Sequence, residues 1–255
     1  MIRRLTAYSM KPLRAGVLTC MLLSGCMGPD DAAAEACLPG ALGVARTLTL
    51  TPDSPPVSAQ LVPGEVVLTF DDGPEPGRTR AVLDALSAEC TRATFFMLGG
   101  QAEASPGLVR EVARRGHAIG GHSYDHTNFT TLPLAGAMKN MKRGNTAISD
   151  ALGGQAVSLF RFPYVALNQT LWGAMQESKT IVVGVDVDGA DWTDISNTES
   201  VDLIMSRLGQ NDRKGVILLH DPFPKSDERL KLLISRLKSE HYRVVALAPD
   251  ANVIN

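Results

Sequence analysis

From residue 66 onward, runs of apolar and β-branched residues alternate with stretches whose apolar residues recur every three or four positions. The first run, Val66-Val67-Leu68-Thr69-Phe70, stops at Asp71-Asp72-Gly73-Pro74. An unbroken run of this kind predicts a strand buried on both faces, ended by the Gly-Pro turn. A helix is predicted at 78–90, where Val82, Leu83, Leu86 and Cys90 share a face. Then come a strand at 93–98, a helix at 106–115 capped by Ser105, and a short strand at 117–120. A long helix at 133–152 ends at Gly153-Gly154. Further strands are predicted at 158–162, 180–185, 215–219 and 242–247. Helices lie between them at 169–176, capped by Asn168, and at 198–208 and 227–240. Such alternation predicts an α/β fold with a mainly parallel sheet. Periodicity alone leaves an open doubly wound sheet and an incomplete barrel as alternatives.

Before this pattern the chain reads differently. Arg3, Arg4, Lys11 and Arg14 precede the short apolar stretch 15–23, and no acid occurs before Asp30. That is the layout of an export signal, too short for a comfortable membrane span. It ends in Leu23-Ser24-Gly25-Cys26, which resembles a bacterial lipobox. The resemblance implies a lipoprotein-type signal peptide at 1–25, cleavage before Cys26, acylation of Cys26, and a lipid-anchored protein of the cell envelope. An ordinary secretory signal cut near residues 32–34 is the alternative. Residues 26–63 are rich in Ala, Pro, Asp, Ser and Thr, and read as a tether with one short strand at 47–51. The folded domain is then 64–255.

Composition adds limits. With 255 residues, 44% of them apolar, the chain can build one sizeable core. Its net charge is -2, with no basic block in the body, which argues against nucleic acid as a partner. Loss of the signal removes four basic residues and no acid, leaving -6. Acyl chains rather than charge would then hold the protein at a membrane. Nothing in the sequence calls for more than a monomer. Cys37 and Cys90 remain in the exported part, either as a disulfide or as two buried thiols. No C-x-x-C pattern supports a cysteine zinc site.

In α/β folds the working groups gather at the carboxyl ends of the strands. Those positions hold Asp71 and Asp72, then His122 and His126, Arg161 and Tyr164, Asp188 and Asp191, and His220. A buried charge needs a partner or a metal. His122 and His126 are four apart, so both rings can face one point, on a helical turn or in a tight loop. With one acid from Asp71 or Asp72 they suit zinc or another divalent transition metal, with open positions for water and substrate. A zincin protease is disfavoured, because the glutamate of H-E-x-x-H is missing. His117 and His241 read as structural.

Five stretches in order carry a family resemblance. They are Thr69-Phe-Asp-Asp-Gly-Pro74, His122-Ser-Tyr-Asp-His126, Arg161-Phe-Pro-Tyr164, Asp188-Gly-Ala-Asp191-Trp192 and Leu218-Leu219-His220. Together they resemble the motifs of polysaccharide deacetylases, the NodB-homology domains of carbohydrate esterase family 4. The resemblance implies a distorted (β/α) barrel of about seven parallel strands. It implies a hydrolase acting on linear amides, which removes acetyl groups from N-acetylated sugars of a polysaccharide such as peptidoglycan, a chitin-like polymer or an exopolysaccharide. Asp72, His122 and His126 would hold a divalent metal, zinc first, with cobalt or nickel as alternatives. Asp71 would be the general base, kept ionised by the metal and by Arg161, which orients it. The Tyr164 N–H would form an oxyanion hole, and His220, paired to Asp191, would be the general acid. Trp192 and Leu218 would wall a pocket for the acetyl methyl group. Two departures stand out: Phe162 replaces a common proline, and Val165 replaces a common glycine. An O-acetyl esterase acting on a glycan such as xylan and a non-catalytic glycan-binding lipoprotein are the alternatives.

Overall fold

The computed structural model describes Cys37 and residues 39–250. The signal read at 1–25 and the acylation site Cys26 lie outside the described residues. In chain order the first elements are β1 (Arg46–Leu50), β2 (Glu65–Asp71), α1 (Arg78–Ala88), β3 (Thr94–Met97), α2 (Gly99–Ala104), α3 (Pro106–Arg114), β4 (Ala118–Gly121) and α4 (Leu134–Ala151). They are followed by β5 (Leu159–Phe160), α5 (Gln169–Glu177), β6 (Ile181–Val182), β7 (Val187–Asp188), α6 (Asn197–Gln210), β8 (Gly215–His220), α7 (Ser226–Ser239) and β9 (Arg243–Pro249).

Every ladder among the described residues is parallel, and β2 is the axis of the sheet. One edge of β2 pairs with β8 along its length, from Val66↔Gly215 to Asp71↔His220. The other edge is shared. Glu65 and Val66 pair with β9, and Thr69 to Asp71 pair with β3. The order β7-β8-β2-β3-β4-β5-β6 gives seven strands around one interior, with no ladder closing β6 onto β7 among the described residues. This is the distorted barrel that the motif resemblance implied.

Alternation along β2 sorts its side chains. Val66, Leu68 and Phe70 face outward and pack with Leu86, Val109, Ile204 and Leu233 from the surrounding helices. Val67 faces inward and meets Phe96, Leu159 and Val216. Thr69 and Asp71 share that inner face, nearer the carboxyl end of the strand. A third cluster, with Phe129, Phe160, Phe162 and Met175, lies between α4, α5 and the sheet.

The segment assigned to a tether is corrected from residue 37 onward. The compact unit starts at Cys37. β1 pairs with β9, and Leu48, Leu50, Val57 and Leu61 enter the inner core. The pattern was weak because Arg46–Leu50 buries only alternate residues, so its apolar content is low. Cys37 and Cys90 form a disulfide, which settles the alternative of two thiols. Three smaller expectations also change. The strand expected at 180–185 shortens to Ile181–Val182, with a second two-residue strand, Val187–Asp188, beyond it, and the Gly-rich α2 carries no apolar periodicity that would announce it. Ser105 makes no side-chain cap; α3 starts instead on Pro106, whose missing N–H costs nothing there. Asn168 does cap α5, accepting from Leu171 N.

Candidate active site

The parallel ladder puts Asp71 and His220 opposite each other on adjacent strands. Neighbouring strands lie about 4.8 Å apart, so the two side chains flank one small volume at the mouth of the barrel. Asp72 follows on a left-handed backbone, φ 73°. That twist takes it off the strand's alternation and lets it face the same mouth as Asp71. Gly73 makes the turn possible, since a Cβ there would collide with the buried Asp221 carboxyl group.

His122 extends β4 by donating its backbone N–H to Met97 O at 2.8 Å. Its Nδ1 lies 2.8 Å from the Arg161 carbonyl. A carbonyl only accepts, so Nδ1 carries the proton and Nε2 presents a lone pair. Burial pushes the His122 pKa down to about 3, against the pull of Asp72, so the ring stays neutral. His126 is reached through a tight loop rather than a helical turn. Ser123 and His126 both have positive φ, and the His126 N–H donates to Ser123 Oγ at 2.9 Å. Gly144 lets α4 press onto this loop, because a Cβ there would strike the Ser123 carbonyl.

Asp72 Oδ1 is buried without a hydrogen-bond partner. It lies 3.5 Å from His122 Nε2 and 3.3 Å from His126 Nε2. A tetrahedron with bonds of about 2.1 Å has edges of about 3.4 Å, so these separations fit three ligands of one zinc-sized ion. The donor set therefore fits a divalent metal, and among the described residues it is the group of His, Cys, Asp and Glu so arranged.

Asp71 stands beside this triad, with Oδ2 3.8 Å from His122 Nε2. Arg161 is fully buried and donates from Nη1 to Asp71 Oδ1 at 2.8 Å and to Thr69 Oγ1 at 2.7 Å. Its Nε and Nη2 donate to the carbonyls of Val183 and Gly184, and its guanidinium covers the Phe96 ring. A buried ion pair so bonded has one geometry, and removing either partner strands a charge. Burial raises the Asp71 pKa, opposed by Arg161 and then by His220.

On the other side, His220 Nδ1 is 2.7 Å from Asp191 Oδ1, and its backbone N–H donates to Asp191 Oδ2 at 2.8 Å. Burial works against a charged ring. The hydrogen bond and charge of Asp191, with Asp71 and Asp72, outweigh it and raise the pKa to about 9. Asp188 shapes the loop that delivers Asp191, accepting from Ala190 N at 2.7 Å.

The remaining expected residues differ in exposure. Tyr164 is exposed, has φ 59°, and sets its ring edge-on to His126, 4.5 Å between centroids. Trp192 is exposed beside the buried Asp191. Leu218 is buried and shares the inner face of β8 with His220. Of the two departures, Phe162 turns away from the mouth and packs on Phe129 and Phe160. Val165 sits at φ 53° with its side chain half exposed, a conformation glycine would adopt freely.

Three residues of the site escaped the sequence reading. Thr69 bridges Arg161 to the Ile217 carbonyl, and its place two residues before Asp71 was the available signal. Asp221 follows His220, accepts from Thr79 Oγ1, and is pushed up to about 7 by burial. Arg229 is buried on α7 with Nη1 3.8 Å from Asp191 Oδ2; no local pattern announces it.

Comparison with known proteins bears on the fold and the family. The family model described as polysaccharide deacetylase matches residues 59–181. The peptidoglycan-N-acetylmuramic acid deacetylase PdaC of Bacillus subtilis (strain 168) is 32% identical over 183 residues, 72% of this chain but only 38% of that protein. A chitooligosaccharide deacetylase of Rhizobium leguminosarum bv. trifolii is 31% identical over 71% of this chain and 88% of its own length. The solved family 4 carbohydrate esterase from Streptomyces lividans, in complex with acetate, is 34% identical, with a TM-score of 0.65 over 74% of this chain and 100% of that one. Fold, motif order and relatives agree: this chain belongs to the polysaccharide deacetylase family, carbohydrate esterase family 4.

Proposed function

We propose that the protein is a metal-dependent hydrolase that removes acetyl groups from N-acetylated sugars of a polysaccharide and releases acetate. Peptidoglycan, a chitin-like polymer and an exopolysaccharide are the candidate substrates. One observation carries the reading. Two titratable groups with opposed partners, Asp71 on Arg161 and His220 on Asp191, flank one triad of candidate metal ligands.

Asp72, His122 and His126 would hold the metal, zinc first, with cobalt or nickel as alternatives. When bound, it would polarise the acetyl carbonyl as a Lewis acid and make a nearby water more acidic. The chain's own residues do the rest. Asp71 takes a proton from the attacking water as its oxygen bonds to the acetyl carbon. Arg161 fixes the direction of the Asp71 carboxylate. The Tyr164 N–H donates to the oxygen that gains charge. His220, with Nδ1 held by Asp191, gives its Nε2 proton to the nitrogen as the C–N bond breaks. The products are acetate and a free amine. Trp192 and Leu218 bound the space for the methyl group.

An amine is a poor leaving group unless protonated, so a positively charged His220 favours N-deacetylation over the O-acetyl esterase reading. The disulfide and the peptidoglycan deacetylases among the relatives support an exported, extracytoplasmic protein. Cys26 would carry a lipid anchor in the cell envelope, with a tether leading to the folded unit. Cys26→Ala should release the protein from the membrane fraction, and unchanged retention would refute the anchor.

The activity is tested by acetate release from chitooligosaccharides, peptidoglycan fragments and acetyl-xylan, with zinc, cobalt or nickel added. The reading expects release from an N-acetylated glycan that a chelator abolishes. No release from any glycan, or release from acetyl-xylan alone, would overturn it.

A further inference from the structure

Where β6 and β7 fail to pair, the barrel wall opens into a cavity of about 570 Å³. One wall is formed by Leu167, Trp172 and Gln176 at the start and along one face of α5. The facing wall is the loop after β1, with Asp53 and Pro55, and Gly184 of the seam also lines the space. The volume lies within the range of ligand pockets, roughly 300–1,000 Å³.

Two features separate this space from a packing gap. The first is Trp172. It is one of only two tryptophans in the chain, and it is 45% exposed. A ring of that size left in water forgoes a large burial gain, so it marks a contact surface. The second is the polar rim. Asp53 and Gln176 are exposed, and their side chains have no hydrogen-bond partner among the described residues. A flat apolar ring beside an unengaged carboxylate and amide matches a pyranose, which has apolar C–H faces and a hydroxyl edge. The carboxylate accepts from hydroxyls and disfavours an anionic occupant.

Two connections lead from the cavity toward the candidate active site. Tyr164 rests on the ligand His126, and the exposed apolar residues Val165, Leu167 and Trp172 follow it along one short segment. Gly184, at the seam, accepts from Arg161, which holds Asp71. We propose that the seam cavity is a second carbohydrate subsite, which takes a pyranose ring of the glycan substrate away from the sugar being deacetylated. The proposal rests on the proposed deacetylation for the identity of the polymer. Longer glycans reach both places, and short ones reach the metal triad alone.

Trp192→Phe leaves Trp172 as the sole tryptophan of the full chain. Its emission is followed during titration with N,N′-diacetylchitobiose, N-acetylchitohexaose and peptidoglycan glycan strands stripped of stem peptides. In parallel, kcat/KM for acetate release is measured with the disaccharide and the longer glycans, for wild type, Trp172→Ala and Trp172→Phe. The expected results are a saturable Trp172 response at about tenfold lower concentration for a longer glycan than for the disaccharide, and a loss of about tenfold in Trp172→Ala, confined to longer glycans and seen in KM. Trp172→Phe, which keeps a stacking ring, should recover most of it. Equal losses for short and long substrates, or a Trp172 emission indifferent to every glycan, would overturn the subsite. The fluorescence arm needs no turnover. Saturable binding at Trp172 without acetate from any substrate would therefore support the subsite while refuting the deacetylase.

Discussion

His220 keeps its proton because Asp191 outweighs the cost of burial, and this fixes a pH signature. A pKa raised to about 9 means that the acid form is present below that value and lost as pH rises through it. The alkaline limb of kcat/KM should report this loss. Asp191→Asn removes the charge and weakens the hydrogen bond, so the limb should move down toward the ordinary imidazole range near about 6.5. A bound cation lowers both values alike, so the comparison of the two pH profiles is the test; coincident limbs would exclude Asp191 as the partner that charges His220. His117 gives the opposite sign. Burial holds its pKa down to about 4, and its Nδ1 accepts from Ala93 N. Below the unfolded value near about 6.5 the unfolded chain takes up a proton that the folded chain refuses. Stability present above that pH should fall by up to about 3 kcal/mol as pH drops toward 4. Urea unfolding of wild type and His117→Gln across that window checks it, since the variant should lack this part of the slope. The sequence revealed the residues of the site through strand ends and motif order. It could not reveal Arg229, which reaches Asp191 from a helix far along the chain, or the burial that raises Asp71.

At the scale of elements, the turn after β2 decides where both acids go. Gly73 touches the Asp221 carboxyl group, and Asp221 in turn holds Thr79 at the start of α1. Gly73→Ala should push this contact apart and destabilise by about 1–3 kcal/mol, read from the midpoint of urea unfolding. An unchanged midpoint would mean that the turn relaxes freely. The disulfide works over a longer distance. It ties the segment before β1 to the residues after α1, across a sequence separation of 53. Closing such a loop restricts the unfolded chain, and Cys90→Ser should cost about 2–4 kcal/mol by the same measurement. Most strands and helices were legible because they are either continuously apolar or strongly periodic. β1 falls on the short strand expected at 47–51, and what stayed hidden is that it pairs with β9 and enters the core, because it buries only alternate residues. β7 was obscured because only Val187 and Asp188 form it.

For the whole molecule, a barrel buried on both faces sends one set of β2 side chains to the helices and the other to the interior. Sequence could not tell these sets apart, because both are apolar. The ladder assigns them, and it leaves Thr69, Asp71, Leu218 and His220 facing the mouth. The seam between β6 and β7 is the consequence of incomplete closure, and the segment after β1 covers it. The central claim is that Asp71 acts on the attacking water while Asp72 holds the metal. Acetate release from an N-acetylated oligosaccharide by metal-loaded Asp71→Asn protein tests it most directly, with bound metal quantified on the same sample. The account predicts near-wild-type metal content and a loss of acetate release of at least about a hundredfold. Wild-type acetate release from Asp71→Asn, or loss of metal without loss of the remaining rate per bound ion, would contradict it.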